Sequence, residues 1–128
     1  MKLLDTTFLI DLLRGDQHAL KKLEEDQTYL TTQVNMFELI RGLYLQNLPA
    51  KELKLAMELF NDLRLLSLDD AGIVKSAEIS ATLWKTGQPV GDCDCLIAGI
   101  ALSKGIRTII TRNKKHFGRI KDLNIETY

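Results

Sequence analysis

Apolar residues along this chain fall into short blocks separated by longer helical stripes. Leu3-Leu4 is an apolar pair that stops on Asp5, and Phe8-Leu9-Ile10 resumes the pattern before Asp11. Four segments have the apolar or β-branched make-up of buried strands: 2–5, 29–31, 64–68 and 108–111, the last bounded by Gly105 and Asn113. Between them, apolar side chains recur at helical spacing. Residues 50–63 form one such stripe behind Pro49, a favourable first-turn residue, and 71–86 form another that ends at Gly87 with Pro89 beyond. Residues 34–45 are apolar around most of their circumference, which predicts a helix buried on more than one side with Glu38 inside it. Residues 92–104 open with Asp92 and Asp94, where a helix end favours negative charge, and stop at Gly105.

Strands alternating with helices imply crossover connections, so the predicted fold class is α/β: a single-domain, mainly parallel sheet with helices on both faces. No linker composition, low-complexity run or repeat divides the chain, and residues 1–128 are read as one domain. A chain of this size buries about two thirds of its unfolded surface, enough for a real core.

Composition adds exclusions. No apolar run nears the ~20 residues that cross a bilayer, and Asp5, Asp11 and Arg14 interrupt the opening that a signal peptide keeps apolar. A cytoplasmic protein without membrane association is expected. Cys93 and Cys95 stand too close for a fold-closing disulfide, and His18 and His116 are remote from them in sequence, so no zinc site is read. Formal charge is zero but segregated: residues 1–103 carry 10 basic and 15 acidic side chains, whereas 104–121 carry seven basic and none acidic. The basic run predicts a local anion-attracting patch.

The acids pose the chemical question. Asp5 sits at the joint between two apolar segments, where an unpaired carboxylate costs several kcal/mol. In open parallel sheets, ligands bind beyond the carboxyl ends of the strands. Asp5 ends the first strand, Thr111 ends the 108–111 strand, and Asp92 and Asp94 open the helix before it. All can face one crevice if those two strands are neighbours, and Glu38 joins them if its helix crosses the sheet end. Each acid also has an ordinary reading: a helix cap for Asp5 and Asp92, an ion pair with Arg41 for Glu38, a dipole-complementing first-turn acid for Asp94. Taken together they differ, because two carboxylates about 4 Å apart repel by ~4 kcal/mol at an effective dielectric of 20. A hard divalent cation relieves that repulsion, and oxygen ligands without histidine or cysteine suit Mg2+ or Mn2+, which complete their shells with waters and substrate phosphate.

These residues resemble a known pattern. LLDTTFLIDLLRG is similar to the opening strand and acid of PIN-domain proteins, FELIRGL to their E-x-x-x-G helix, VGDCDCLIAGIAL to their D-x-x-I-A helix, and TIITRNKKHF to their closing T-x-N-x-x-H-F element. Four motifs in this order, across nearly the whole chain, resemble the VapC-type ribonuclease toxins of toxin–antitoxin pairs. The resemblance implies Mg2+- or Mn2+-dependent hydrolysis of RNA by a homodimer restrained by a cognate antitoxin. It implies that Asp5, Glu38 and Asp94 are the catalytic metal-binding acids, with Asp92 a fourth; Asp94 is favoured over Asp92 because it stands three residues before Ile97-Ala98, where the family places its acid. Thr7 and Thr111 would support the site through their hydroxyls, and Asn113 stands where family members often carry a further acid. Arg112, Lys114 and Lys115 would contact RNA. The competing expectation is a catalytically silent PIN-like module that holds RNA or protein. A phosphatase with an aspartate nucleophile is weaker, since Asp5-Thr6-Thr7 lacks the second acid of D-x-D, and no phosphate-binding G-x-x-x-x-G-K-[ST] loop is present.

Overall fold

Leu3 and Leu4 are adjacent and both fully buried, which a strand achieves only when its sheet is covered on both faces. The computed structural model describes residues 1–47 and 50–128; Pro49, read above as a first-turn residue, lies outside the described residues, as does Leu48. The elements are β1 (Lys2–Leu4), α1 (Thr6–Leu13), α2 (Gln17–Lys22), β2 (Tyr29–Thr32), α3 (Gln33–Leu45), α4 (Ala50–Asp62), β3 (Arg64–Leu66), α5 (Asp70–Lys85), α6 (Asp92–Ser103), β4 (Thr108–Ile110), α7 (Lys114–Phe117) and β5 (Asn124–Glu126). The predicted parallel α/β sheet is present, and each expected strand and helix lies within two residues of its expected limits. The pattern had not marked α2, α7 or β5 as elements, and α1 entered it only as the helix that Asp5 would cap; β5 offers only one apolar residue, Ile125, between two polar ones.

All pairings are parallel, and the strand order is β3-β2-β1-β4-β5. Successive side chains point to opposite faces. Leu3, Leu30, Leu66 and Ile109 therefore enter one core with α5 and α6, while Leu4, Leu65 and Ile110 enter the other with Phe8, Leu9, Leu39 and Phe60. From β1 the chain builds outward through β2 to β3, then returns through α5 and α6 to place β4 on the opposite side of β1. That reversal opens a crevice beyond the carboxyl ends of β1 and β4. Leu4 lies in register with Ile110, and the Asp5 amide donates to the Ile110 carbonyl at 3.0 Å, so the residues that follow each strand are neighbours. The adjacency that the acid cluster requires is met.

The return path is held by close packing. A Cβ on Gly99 of α6 would stand 1.9 Å from Ser76 Oγ and 2.7 Å from the Ser76 backbone nitrogen of α5. Gly99→Ala is expected to destabilise the protein by about 1–3 kcal/mol or more in urea unfolding, as overpacking does. Ser76→Ala in the same chain should not restore stability, because the clash with the backbone persists.

Candidate active site

Asp5 follows β1 directly and is 3% exposed, with no lysine, arginine or histidine paired to it among the described residues. Neutral donors satisfy it instead. Its Oδ2 accepts from Thr111 Oγ1 at 2.7 Å and from Thr7 Oγ1 at 3.3 Å, and its Oδ1 accepts from Asn35 Nδ2 at 3.1 Å. Asp5 occupies the N-cap position of α1, but its side chain makes no capping hydrogen bond there. Burial pushes the Asp5 carboxyl above the usual carboxylate range; the Thr111 hydroxyl, the amides of Thr6 and Thr7 and the Thr7 hydroxyl pull the other way without reversing it.

Glu38 lies on α3, and the start of that helix explains how it arrives. Thr32 caps α3: its hydroxyl accepts from the Asn35 amide at 3.1 Å, and Asn35 Oδ1 reaches back to the Thr32 amide at 3.3 Å. The same Asn35 side chain, fully buried, donates its amide hydrogens to Asp5 and to Thr6 Oγ1, 3.1 Å in each case. Thr6 then donates to Glu38 Oε1 at 2.8 Å. A helix cap, a buried carboxylate and a half-buried carboxylate are thus joined through one amide. Burial raises the Glu38 carboxyl above its ordinary range, the negative charges of Asp5 and Asp94 add to that, and the Thr6 bond and the Arg41 charge offset part of it.

Asp94 lies in the first turn of α6, one residue before Cys95 and the fully buried Ile97-Ala98 pair that seat this helix in the core. Its Oδ2 is 3.5 Å from Asn113 Nδ2 and 3.4 Å from His116 Nδ1, with Asn113 Nδ2 and His116 Nδ1 3.2 Å apart. Burial raises its carboxyl and the charge of Asp5 raises it further, against the pull of His116 and Asn113. The three acids therefore share one electrostatic environment. Among the described residues, no three carboxylate, imidazole or thiolate groups already stand at closed coordination distances around one point. Glu38 Oε2 and Asp94 Oδ1 accept no hydrogen bond from described residues, and Asp5 Oδ1 accepts one, so each acid keeps lone pairs for a ligand. Three partly free hard oxygen donors, Asp5 and Glu38 without an ion pair among the described residues and Asp94 beside the His116 ring, suit a cation that retains part of its water shell.

The other expected residues divide. Thr7 and Thr111 bridge each other at 3.2 Å as well as reaching Asp5, and Thr111 Oγ1 accepts the Asn113 amide at 2.8 Å. Asp92 is exposed at the first position of α6 and joins none of these bonds. Lys114 and Lys115 are exposed on α7 beside the crevice. Arg112 is exposed too, but its Nε is 2.9 Å from Asp11 Oδ2. The basic run does not form one patch. Lys104 and Arg107 precede β4, at the opposite end of the sheet from Arg112, Lys114 and Lys115; Lys104 pairs with Asp69 at 3.1 Å, and Arg119 donates to the Pro89 carbonyl at 3.0 Å. Sequence reasoning missed Thr6, Asn35 and His116. Asn35 left a signal in the spacing Thr32-x-x-Asn35 of a capping box, and His116 is the histidine of the closing T-x-N-x-x-H-F element, to which no role had been assigned.

A carboxyl that holds its proton more tightly in the folded chain than in the unfolded one lowers stability as pH rises from the ordinary carboxylate range of about 4 through its folded pKa. Above that the penalty is complete; below about pH 4 it is absent. Asp94→Asn, measured without metal, is therefore expected to raise the melting temperature at pH 7 and to leave it unchanged near pH 4. A dominant helix-dipole role for Asp94 predicts a lowered melting temperature at pH 7 instead.

The PIN domain family model matches residues 2–123. The chain is 32% identical over 97 residues to the tRNA(fMet)-specific endonuclease VapC of Shigella flexneri, covering 76% of this chain and 73% of that protein. It is 30% identical over 126 residues to Ribonuclease VapC1 of Methanocaldococcus jannaschii, covering 98% of this chain and 85% of the relative. Its fold superposes on a chain of the DNA-bound VapBC crystal structure from Salmonella typhimurium with a TM-score of 0.88 and 28% identity, over 98% of this chain and 96% of that one. The chain belongs to the PIN-domain family, and within it to the VapC-type ribonucleases.

Proposed function

We propose that the chain is a Mg2+- or Mn2+-dependent endoribonuclease, the toxin of a toxin–antitoxin pair, with Asp5, Glu38 and Asp94 as its metal-binding acids. The observation that carries this reading is the buried Asp5 carboxylate, held by neutral donors and lacking a cation, in the field of two further acids. The names of its relatives support the reaction class, and the likeness of its fold to a chain of the VapBC structure supports a protein antitoxin as its partner. Two copies are expected to associate; Tyr44, Leu45, Val74 and Trp84 are each about two thirds or more exposed and offer apolar surface for contacts of that kind.

When bound, a divalent ion at this site supplies a water of lowered pKa and polarises the scissile phosphate. The chain's own residues set the conditions for that chemistry. Thr111, Thr7 and Asn35 hold Asp5 with its charge directed into the crevice, and Thr6 orients Glu38. Asn113 and His116 flank Asp94, placing donors rather than a fourth acid on that side. Asp92 and Asn113 remain outside the proposed core ligand set, Asp92 because it is exposed and Asn113 because an amide adds no charge. Lys114 and Lys115, exposed and without an ion pair among the described residues, attract the phosphate backbone.

The test uses tRNA(fMet) transcript and total RNA as probes. Cleavage is expected with Mg2+ or Mn2+, none with excess chelator, and none by Asp94→Asn in either metal. Cleavage undiminished by chelator, or by Asp94→Asn, would overturn the reading. In thermal melts, Mn2+ is expected to raise the melting temperature of the wild type but not of Asp5→Asn; equal rises remove Asp5 from the ligand set. Replacing Lys114 and Lys115 together by Gln is expected to raise KM and to reduce the slope of log KM against log salt by up to about 2, with kcat retained.

A further inference from the structure

Arg112 lies between two residues of the site and is held at both its ends by one face of α1. Its backbone amide donates to Thr7 Oγ1 at 3.0 Å, and its Nε donates to Asp11 Oδ2 at 2.9 Å. Thr7 and Asp11 are four residues apart on α1, one turn along the same face. The acceptor Asp11 is well covered, its side chain 13% exposed. Tyr128 closes the arrangement: its hydroxyl donates to the same Asp11 oxygen, and its ring packs edge-on against the fully buried Phe8 with centroids 4.8 Å apart. The guanidinium is therefore committed to the protein, unlike the ammonium groups of Lys114 and Lys115.

The neighbours of Arg112 give that commitment a consequence. Thr111, immediately before it, makes the shortest bond to Asp5; Asn113, immediately after it, reaches Asp94. A displacement of residue 112 moves both. We propose that Arg112 is a positioning residue, and that the Asp11–Arg112–Tyr128 cluster fixes the peptide whose two flanking side chains hold Asp5 and Asp94 in register. This rests on the nuclease reading above and replaces the expectation that Arg112 contacts RNA.

The experiment is a double-mutant cycle in cleavage of tRNA(fMet) transcript, with Arg112→Gln, Asp11→Asn, the pair together, and Tyr128→Phe. Each of the first two is expected to lower kcat about tenfold with KM changed less than twofold and an unaltered salt slope. The double variant should be no worse than the more impaired single, because both remove one interaction. Tyr128→Phe, which leaves the ion pair in place, should lower kcat by a smaller factor, again at constant KM, and it carries the test if Arg112→Gln fails to fold. The proposal is overturned if Arg112→Gln raises KM and flattens the salt slope by about 1 while Asp11→Asn leaves kcat intact, the behaviour of a phosphate contact. Multiplying defects in the double variant, or a Tyr128→Phe protein with unchanged kcat, overturn it as well. A wild-type protein that cleaves no RNA sinks the nuclease reading alone; the Asp11–Arg112 coupling is then read from the Mn2+ midpoint of the thermal shift, where additive changes reject it.

Discussion

A carboxylate buried beside the sheet without a counter-ion is the constraint around which this molecule is organised. Asp5 is surrounded by donors from three separate parts of the chain: Thr7 on α1, Asn35 on α3 and Thr111 after β4. Hydrogen bonds from neutral groups favour its charge but do not cancel the cost of taking it out of water, which is why its proton affinity remains raised. A domain selected only for stability has better uses for this position. The burden makes sense where the missing positive charge arrives with a ligand, and the strand order places it at the crevice where such sheets bind ligands.

The secondary layer of the site shows how local structure is put to a second use. Asn35 completes the cap of α3 with its backbone amide and side-chain oxygen, then spends both side-chain amide hydrogens on Asp5 and Thr6. The alignment of α3, the charge state of Asp5 and the orientation of Glu38 are thereby coupled through a single residue. On the opposite wall, Thr111 plays the matching part, accepting from Asn113 while donating to Asp5.

Much of this was legible in the sequence, for identifiable reasons. The apolar stripes of 50–63, 71–86 and 92–104 and the β-branched Thr108-Ile109-Ile110 run are long or pure enough to mark their elements, and Asp5, Glu38 and Asp94 stand in motifs that carry the family resemblance. β5 was hidden because its stability comes from elsewhere: the Thr111 amide donates to the Glu126 carbonyl, and Lys2 and Lys22 close on the Glu126 carboxylate at 3.0 and 2.9 Å. Nothing in Asn-Ile-Glu announces partners more than a hundred residues away. The basic run misled in the opposite sense. Neighbours in sequence are not neighbours in space when a three-residue strand of about 10 Å runs between them, and β4 separates Lys104 and Arg107 from the lysines of α7. Thr6 is an ordinary residue whose meaning depends on which elements meet, and His116, though part of the closing motif, reaches Asp94 only because α6 and α7 meet.

The bond between Thr111 and Asp5 spans 106 positions, so it sets an order of events during synthesis. The ribosome delivers Asp5 with β1, but α6, β4 and the turn after it come later, Thr111 following Asp5 by 106 residues. Until then no emerging chain can assemble the centre, and the earliest-made acid waits with one of its three side-chain donors, Thr111, still unwritten. A nascent chain therefore cannot present the assembled acid cluster before residue 111 has been added and β4 can lie beside β1, whatever has folded ahead of it.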